Sequence, residues 1–365
     1  MVRSRRCRSS PEGDDISEQI DAHRHLFPIN EMMVVMDPPE HTRARSLLSR
    51  LLTPARLKEN EDFMWELADR QLDEFIGNGK CELLSEYGKP FATLVIADLL
   101  GVPDDDRAEF RASLGGAGKE PGSAVGALDH TPVAVNPLEW LDAKFTGYIN
   151  ERRRHPREDV LNSLAAATYP DGTTPDVVDV VRAATFLFAA GQETVVKLLS
   201  ASTRVLAERP DLQDKLRADR SLIGNFIEES LRIESPPTKV DFRLARKTTN
   251  LGGVDIKAGT VLMLCLGAAN RDPRKFENPP DEFHLDRKNV REHITFGRGI
   301  HTCAGGAPLA RVEAKVTLNR LLDRMADIAI DETQHGPAGA RRYRYEPTFL
   351  LRGLSELHLT FKPVA

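Results

Sequence analysis

Between Thr174-Pro175-Asp176 and Arg209-Pro210 the sequence can run as one helix without interruption. The threonine-proline-aspartate triplet suits a helix start, and a proline cannot continue the helix at its far end. At 1.5 Å of rise per residue such a helix is about 50 Å long, enough to cross a whole molecule. Its middle, Thr185 to Thr194, is apolar nearly all round, which predicts a buried central helix. Three residues disturb that pattern. Gly191 weakens a helix by about 1 kcal/mol relative to alanine. Glu193 and Thr194 put an acid and a hydroxyl in apolar surroundings, where a carboxylate is costly without a partner or a purpose. Two readings follow: a kink around a satisfied carboxylate, or a local widening that admits a small ligand.

A second stretch is Phe296-Gly297-Arg298-Gly299-Ile300-His301-Thr302-Cys303-Ala304-Gly305. Its glycines permit positive φ and close approach of the backbone to a flat ligand. The following residues, from Ala307 to Val316, read as helix. Cys303 therefore lies near a helix N-terminus, whose dipole and unpaired N–H groups favour thiolate over thiol. A lone cysteine is ordinarily a small buried apolar side chain. A thiolate held on such a loop would be a nucleophile or a metal ligand.

Composition narrows the class. The chain has 365 residues, 41% of them hydrophobic and 29% charged, which is ordinary for a soluble globular protein. A net charge of −5 argues against bulk nucleic-acid binding. Cys7, Cys81, Cys265 and Cys303 are scattered without a C-x-x-C pair, which fits a reducing compartment and excludes a zinc ribbon. No apolar run of membrane-spanning length occurs and the basic start lacks a signal-peptide core, so the expectation is a cytoplasmic protein without a membrane anchor. No internal repeat or linker divides the chain, which reads as a single domain over 1–365, with 1–35 shortened or poorly patterned.

Other segments carry local signals. Asp37-Pro38-Pro39-Glu40 has the form of a capping box, and His41 and Arg45, four apart, share one face of the helix that follows. That pair reads as a solvated face or as a cationic clamp for an anion. Residues 60–78, 81–101, 138–168 and 211–233 are patterned as helices. The Gly/Pro/Ala-rich 115–137 stretch is either a lid or an irregular segment without function. Glu229 and Arg232 form an E-x-x-R pair in apolar surroundings, whereas Glu151 and Arg154 repeat the spacing on a very basic segment. Short strands are expected at 243–249, 254–256 and 260–264, and a hairpin tip at 349–354.

Taken together, these motifs resemble the cytochrome P-450 family over roughly residues 36 to 365. Phe-x-x-Gly-x-x-x-Cys-x-Gly is similar to its proximal loop, and Ala190-Gly191-Gln192-Glu193-Thr194 to its oxygen-binding groove. Asp37 to Arg45, the E-x-x-R pair and Asn270-Arg271-Asp272-Pro273 match further segments in the family's order. The resemblance implies a mainly α fold with a small β-rich region and heme b (iron protoporphyrin IX) between the central helix and the cysteine loop. It implies Cys303 as the axial iron ligand. His41, Arg45, Arg243 and His301 would contact the heme propionates, and Phe296, Gly297 and Gly305 would line the cofactor. Ala190, Gly191, Glu193 and Thr194 would bind dioxygen and deliver protons, while Glu229, Arg232 and Arg287 would serve folding and heme retention.

The implied reaction is insertion of one oxygen atom of dioxygen into a lipophilic small molecule. Electrons would pass from NAD(P)H through a separate ferredoxin and ferredoxin reductase, docking on Arg298, Arg311, Lys315 and Arg50. A peroxide-dependent oxidase or a ligand binder of the same fold is the rival reading. The pocket is expected around 27–35, 112–138, 237–242 and 349–351. Because the Asp37 motif comes earlier than in most bacterial members, the leading helix and some strands of the β-region are expected to be shortened or absent.

Overall fold

The computed structural model describes residues 17–18, 22, 32–48, 51–116, 138–234, 241–277, 279–303, 305–346 and 351–364. Helices dominate. In chain order they are α1 (Glu40–Leu48), α2 (Pro54–Asp73), α3 (Lys89–Leu100), α4 (Asp104–Gly116), α5 (Glu139–Arg154) and α6 (Val160–Ala165). These are followed by α7 (Val177–Glu208), α8 (Pro210–Ala218), α9 (Ile223–Glu234), α10 (Leu266–Ala269), α11 (Gly306–Arg324) and α12 (Glu332–His335). The strands are β1 (Lys80–Glu82), β2 (Asp241–Leu244), β3 (Thr249–Leu251), β4 (Val254–Ile256), β5 (Val261–Leu264), β6 (Met325–Ile330) and β7 (His358–Pro363).

The 32-residue α7 is the centre of the fold, and α1, α3, α5, α9 and α11 all pack on it. Val180, Val181, Ala184, Leu187, Phe188, Leu198, Leu199 and Leu206 bury its length. Around Phe188 the rings of Phe110 and Phe145 meet edge to face at 5.3 and 6.5 Å, joining α4 and α5 to it. Burial of one large apolar side chain stabilises by about 1.5–3 kcal/mol, so this stripe outweighs the weak intrinsic propensity of its valines and threonines.

The sheets are small and antiparallel. β7 lies between β1 and β6, with Leu359 opposite both Cys81 and Ile330, while β2 pairs with β5 and β3 with β4. Gly252 and Gly253, both at positive φ, turn β3 into β4 as the sequence suggests. The base of the C-terminal hairpin is also present, through a Tyr345–Leu354 bridge and a 3.0 Å bond from the Glu346 N–H to the Gly353 carbonyl. Its tip, like residues 117–137 and most of 1–31, lies outside the described residues.

Local expectations differ in several places. The strand expected at 243–249 is interrupted, β2 ending at Leu244 and β3 starting at Thr249, and the stretch read as helix from 81 opens in β1. The 211–233 segment is two helices, because Asp219 leaves helical geometry and its carboxylate accepts the Ser221 N–H at 2.9 Å. Asp37 does not cap α1: its carbonyl accepts the His41 N–H, and its carboxylate pairs with Arg246 at 2.9 Å. Asp176 precedes α7 but makes no side-chain cap either.

The E-x-x-R pair is fully buried. Arg232 meets both Glu229 oxygens at 2.7 and 2.8 Å and donates to the carbonyls of Asn270, Pro280 and Glu282. Arg287 donates to Glu229 at 2.9 Å, and so does the His284 N–H at 3.0 Å. The other copy does nothing of the kind: Glu151 pairs with Arg152 and Arg157, and Arg154 with a carbonyl of its own helix. Removing one member of a buried ionic cluster strands the rest, so Glu229→Gln should cost about 3–5 kcal/mol, measured by denaturant unfolding. A loss under about 1 kcal/mol would show that the cluster is not what anchors this region.

Candidate active site

The cysteine loop is shaped by glycines and by the start of α11. Gly297 and Gly299 sit at φ +70 and +78, in the left-handed region that other residues resist. The Cys303 N–H donates to the Phe296 carbonyl at 2.9 Å, and the Cys303 carbonyl accepts the Ala307 N–H at 3.1 Å. Space is equally restrictive. A Cβ on Gly305 would lie 2.1 Å from Leu52, and one on Gly306 would lie 2.8 Å from the Cys303 sulfur. Cys303 keeps one face open to solvent, while protein packs behind the sulfur. That enclosure raises the thiol above its ordinary value. It outweighs the Gly306 and Ala307 N–H groups and the positive charges of Arg45 and Arg311, which pull the other way. The helix start does supply the expected donors, but in the protein alone desolvation wins.

Beside the sulfur stands a crowd of cationic side chains. The His41 and His301 rings are 4.3 Å apart, and Arg45 reaches across from α1 to the carbonyls of Thr302 and Ile300 at 2.7 and 3.3 Å. Arg243, on β2, donates to Asp241 at 2.6 Å. Burial is the main cause that lowers the pKa of both histidines. The pair also feels the arginines: His41 is depressed by His301 and Arg45, and His301 by Arg243 and Arg45. His41 is buried with neither ring nitrogen bonded. Asp37 and Asp241 pull the other way, raising His301, and Asp37 raises His41 as well, yet burial and the arginines prevail. Buried polar atoms rarely stay unpaired, so the unbonded His41 ring has room for a further partner. One soft sulfur donor next to a seat for anions fits a planar iron ligand that carries carboxylates. Among the described residues no three His, Cys, Asp or Glu side chains are grouped to hold a bare metal ion.

The middle of α7 differs from its sequence reading. The helix continues as regular α-helix through Gly191, without a widened turn. Gly191 instead allows close approach to α3, since a Cβ there would lie 3.0 Å from Ile96. Gln192 binds Thr93 on the same helix at 3.1 Å. Glu193 is not buried: its side chain is 47% exposed. An all-round apolar stretch hid the fact that this face of the helix is open to solvent. Ala190 and Thr194 are half-buried, and the Thr194 hydroxyl donates to the Ala190 carbonyl at 2.6 Å. Sequence reasoning missed Lys197, which is buried one turn beyond Glu193; a lysine inside so apolar a helix was the available signal.

Comparison with known proteins decides the family. The cytochrome P-450 family model matches residues 141–326. The biotin biosynthesis cytochrome P-450 of Bacillus subtilis is 35% identical over 91% of this chain and 80% of its own length. Vitamin D(3) 25-hydroxylase of Pseudonocardia autotrophica is 34% identical over 91% of this chain and 78% of its own length. The chain belongs to the cytochrome P-450 family. It is thus a monooxygenase-type enzyme, and the family implies a heme cofactor. The substrate-free structure of cytochrome P-450 CYP150A6 from Mycobacterium marinum matches with a TM-score of 0.90 and 64% identity, over all of this chain and 84% of that one. No helix among the described residues is long and apolar enough to cross a membrane.

The cysteine side of this P-450 also corrects the expected docking patch. Arg311 is engaged by Glu228 at 2.5 and 3.0 Å and lies over the Phe296 ring at 4.7 Å. Arg298 and Lys315 remain exposed, Lys315 with a 3.5 Å pair to Glu61; Arg50 lies outside the described residues. Burial alone would raise the Glu228 carboxyl, but His293 and Arg311 bring it down to about 2. A depressed carboxyl contributes stability above its unfolded value, here 4.5, and that contribution fades as pH falls from there toward 2. It amounts to on the order of 3 kcal/mol at neutral pH. Glu228→Gln should therefore lower stability at pH 7 and flatten its fall between about pH 5 and 3, read by urea unfolding at stepped pH. An unchanged slope would mean that Glu228 is not held this way.

Proposed function

We propose that this P-450 is a heme-thiolate monooxygenase that hydroxylates a lipophilic small molecule, with Cys303 as the iron's protein ligand. The observation that carries this is the open sulfur of Cys303, backed by α11 N–H groups and flanked by His41, Arg45, Arg243 and His301. When bound, heme would supply an iron centre that activates dioxygen for insertion into a C–H bond, with the thiolate favouring O–O cleavage. The remaining work belongs to side chains. The loop fixes the sulfur, since glycine at 305 and 306 is the condition for its approach to Leu52 and to the start of α11. Arg45 and Arg243, with the His41 and His301 rings as hydrogen-bond partners, would hold the two acid groups of the cofactor, and the unbonded His41 nitrogens would gain partners. Phe296, Gly297 and Gly305 would lie against the ring.

On the other side, the Thr194 hydroxyl is already oriented by the Ala190 carbonyl, so its oxygen is free to accept a bond from a small ligand in the groove. Glu193 has one side in solvent and can carry a proton inward from water. Ala190 and Gly191 would bound the dioxygen site, and the apolar wall of α7 would exclude bulk water. A lipophilic substrate is supported by a cavity of about 210 Å³ between α1 and the first half of α7, lined by Met33, Met36, Leu47 and Phe186 among others. Its lining holds none of the residues around Cys303, so it suits an approach to the centre rather than the centre itself. The vitamin D(3) 25-hydroxylase relative, which acts on a lipophilic molecule, points to the same substrate class. Exposed Arg298 and Lys315 support docking of an acidic electron donor, a ferredoxin served by its NAD(P)H-dependent reductase.

Reduced holoprotein under carbon monoxide should give the red-shifted Soret band of a thiolate-ligated heme, and Cys303→Ser should abolish it. Folded, heme-loaded wild type without that band would end this reading. Thr194→Ala should raise the peroxide released per NADH consumed about tenfold, as expected when one proton-transfer group is lost, and equal values would remove Thr194 from proton handling.

A further inference from the structure

Outside the residues just assigned, one buried charge stands out. The Lys197 side chain is 3% exposed, yet its ammonium lies 2.6 Å from Glu346 and 3.9 Å from Glu193. An isolated ammonium does not persist in such surroundings, so its partners are what keep it there. Glu193 is one turn away on α7, with its carboxylate open to solvent. Glu346 belongs to another part of the molecule, at the base of the C-terminal hairpin. Backbone covers the lysine from above, since a Cβ on Gly353 would lie 2.3 Å from its Cγ and 2.9 Å from its Cδ and Cε. Only a glycine fits over that stem. A separate contact seats the same hairpin, because Arg352 pairs with Glu234 at 2.6 Å and Glu234 with Arg204 of α7 at 2.7 Å. The hairpin base thus grips α7 at two heights, and the upper grip ends on the acid read above as the proton carrier.

We infer that Lys197 is a positioning residue: anchored by Glu346 and clasped under Gly353, it fixes where the Glu193 carboxylate points and ties that acid to the seating of the hairpin. This rests on the proton-carrying reading of Glu193. Lys197 touches neither dioxygen nor substrate in this view. A displaced hairpin draws Glu346 and the lysine with it, and Glu193 then loses the charge that orients it. The hairpin base and the proton supply become one mechanical unit.

The test uses full-length holoenzyme with a plant-type ferredoxin and its reductase, without added substrate, and reads peroxide released per NADH consumed. Lys197→Met should raise that ratio about threefold or more, a modest part of what a proton-transfer group contributes. Lys197→Arg should restore it, and Gly353→Ala, which crowds the lysine stem without altering any charge, should mimic the loss. Lys197→Met in the Glu193→Gln background should add nothing further. A second readout is independent of turnover. In a denaturation cycle of Lys197→Met with Glu346→Gln, the double variant should be less destabilised than the two single losses summed. If Lys197→Met lowers stability while the peroxide ratio stays at the wild-type value, the lysine is structural only and the inference fails. If Glu193→Gln alone leaves the ratio unchanged, the failure belongs to the proton-carrying reading of Glu193, and the inference falls with it.

Discussion

One carboxylate organises the half of the molecule that carries the cysteine. Glu229 takes bonds from two guanidinium groups and a backbone N–H while fully enclosed, and those guanidiniums in turn hold carbonyls from residues 270 to 282. This stretch of chain has almost no regular hydrogen bonding of its own after α10. Without ladders, its carbonyls need other donors, and arginine offers five in a fixed fork. The ionic cluster therefore substitutes for secondary structure. It delivers the chain to Phe296 in one conformation, and the sulfur can be held rigidly because the segment before it is rigid.

A parallel logic governs the cations beside Cys303. The protein gathers His41, Arg45, Arg243 and His301 where each depresses or crowds another, and leaves two buried nitrogens without partners. Such an arrangement is unfavourable for the polypeptide alone and favourable with an anionic partner in place. Affinity for a dianionic cofactor is thus prepared by the fold rather than by any single bond.

The cysteine loop was legible because its restrictions are local: glycines at positive φ and a helix start leave their trace within the ten residues from Phe296 to Gly305. The E-x-x-R pair was legible only in part, since spacing alone did not separate Glu229 from Glu151; burial did. What failed in the sequence depended on distant partners. Asp37 was read as a cap, but Arg246, from another region, takes its carboxylate. Arg311 looked like a surface cation until Glu228 was found against it. Glu193 reads as buried because helical periodicity reports what lies on a helix and not where its neighbours leave it open to solvent. Gly191 suggests a kink or a widening, yet the helix stays regular and the missing Cβ makes room for Ile96. Lys197 escaped notice for the same reason, its partner Glu346 being far along the chain.

The three-stranded sheet has a temporal implication. Its middle strand, β7, lies between β1 and β6, and the Leu357 N–H reaches Glu82 across a separation of 275 residues. Closing so large a loop is entropically expensive and cannot happen until the distal segment has left the ribosome. Nearly every helix can therefore be in position before this zipper engages, which makes it the natural late step of maturation, one that then locks Leu357 and Leu359 into the core.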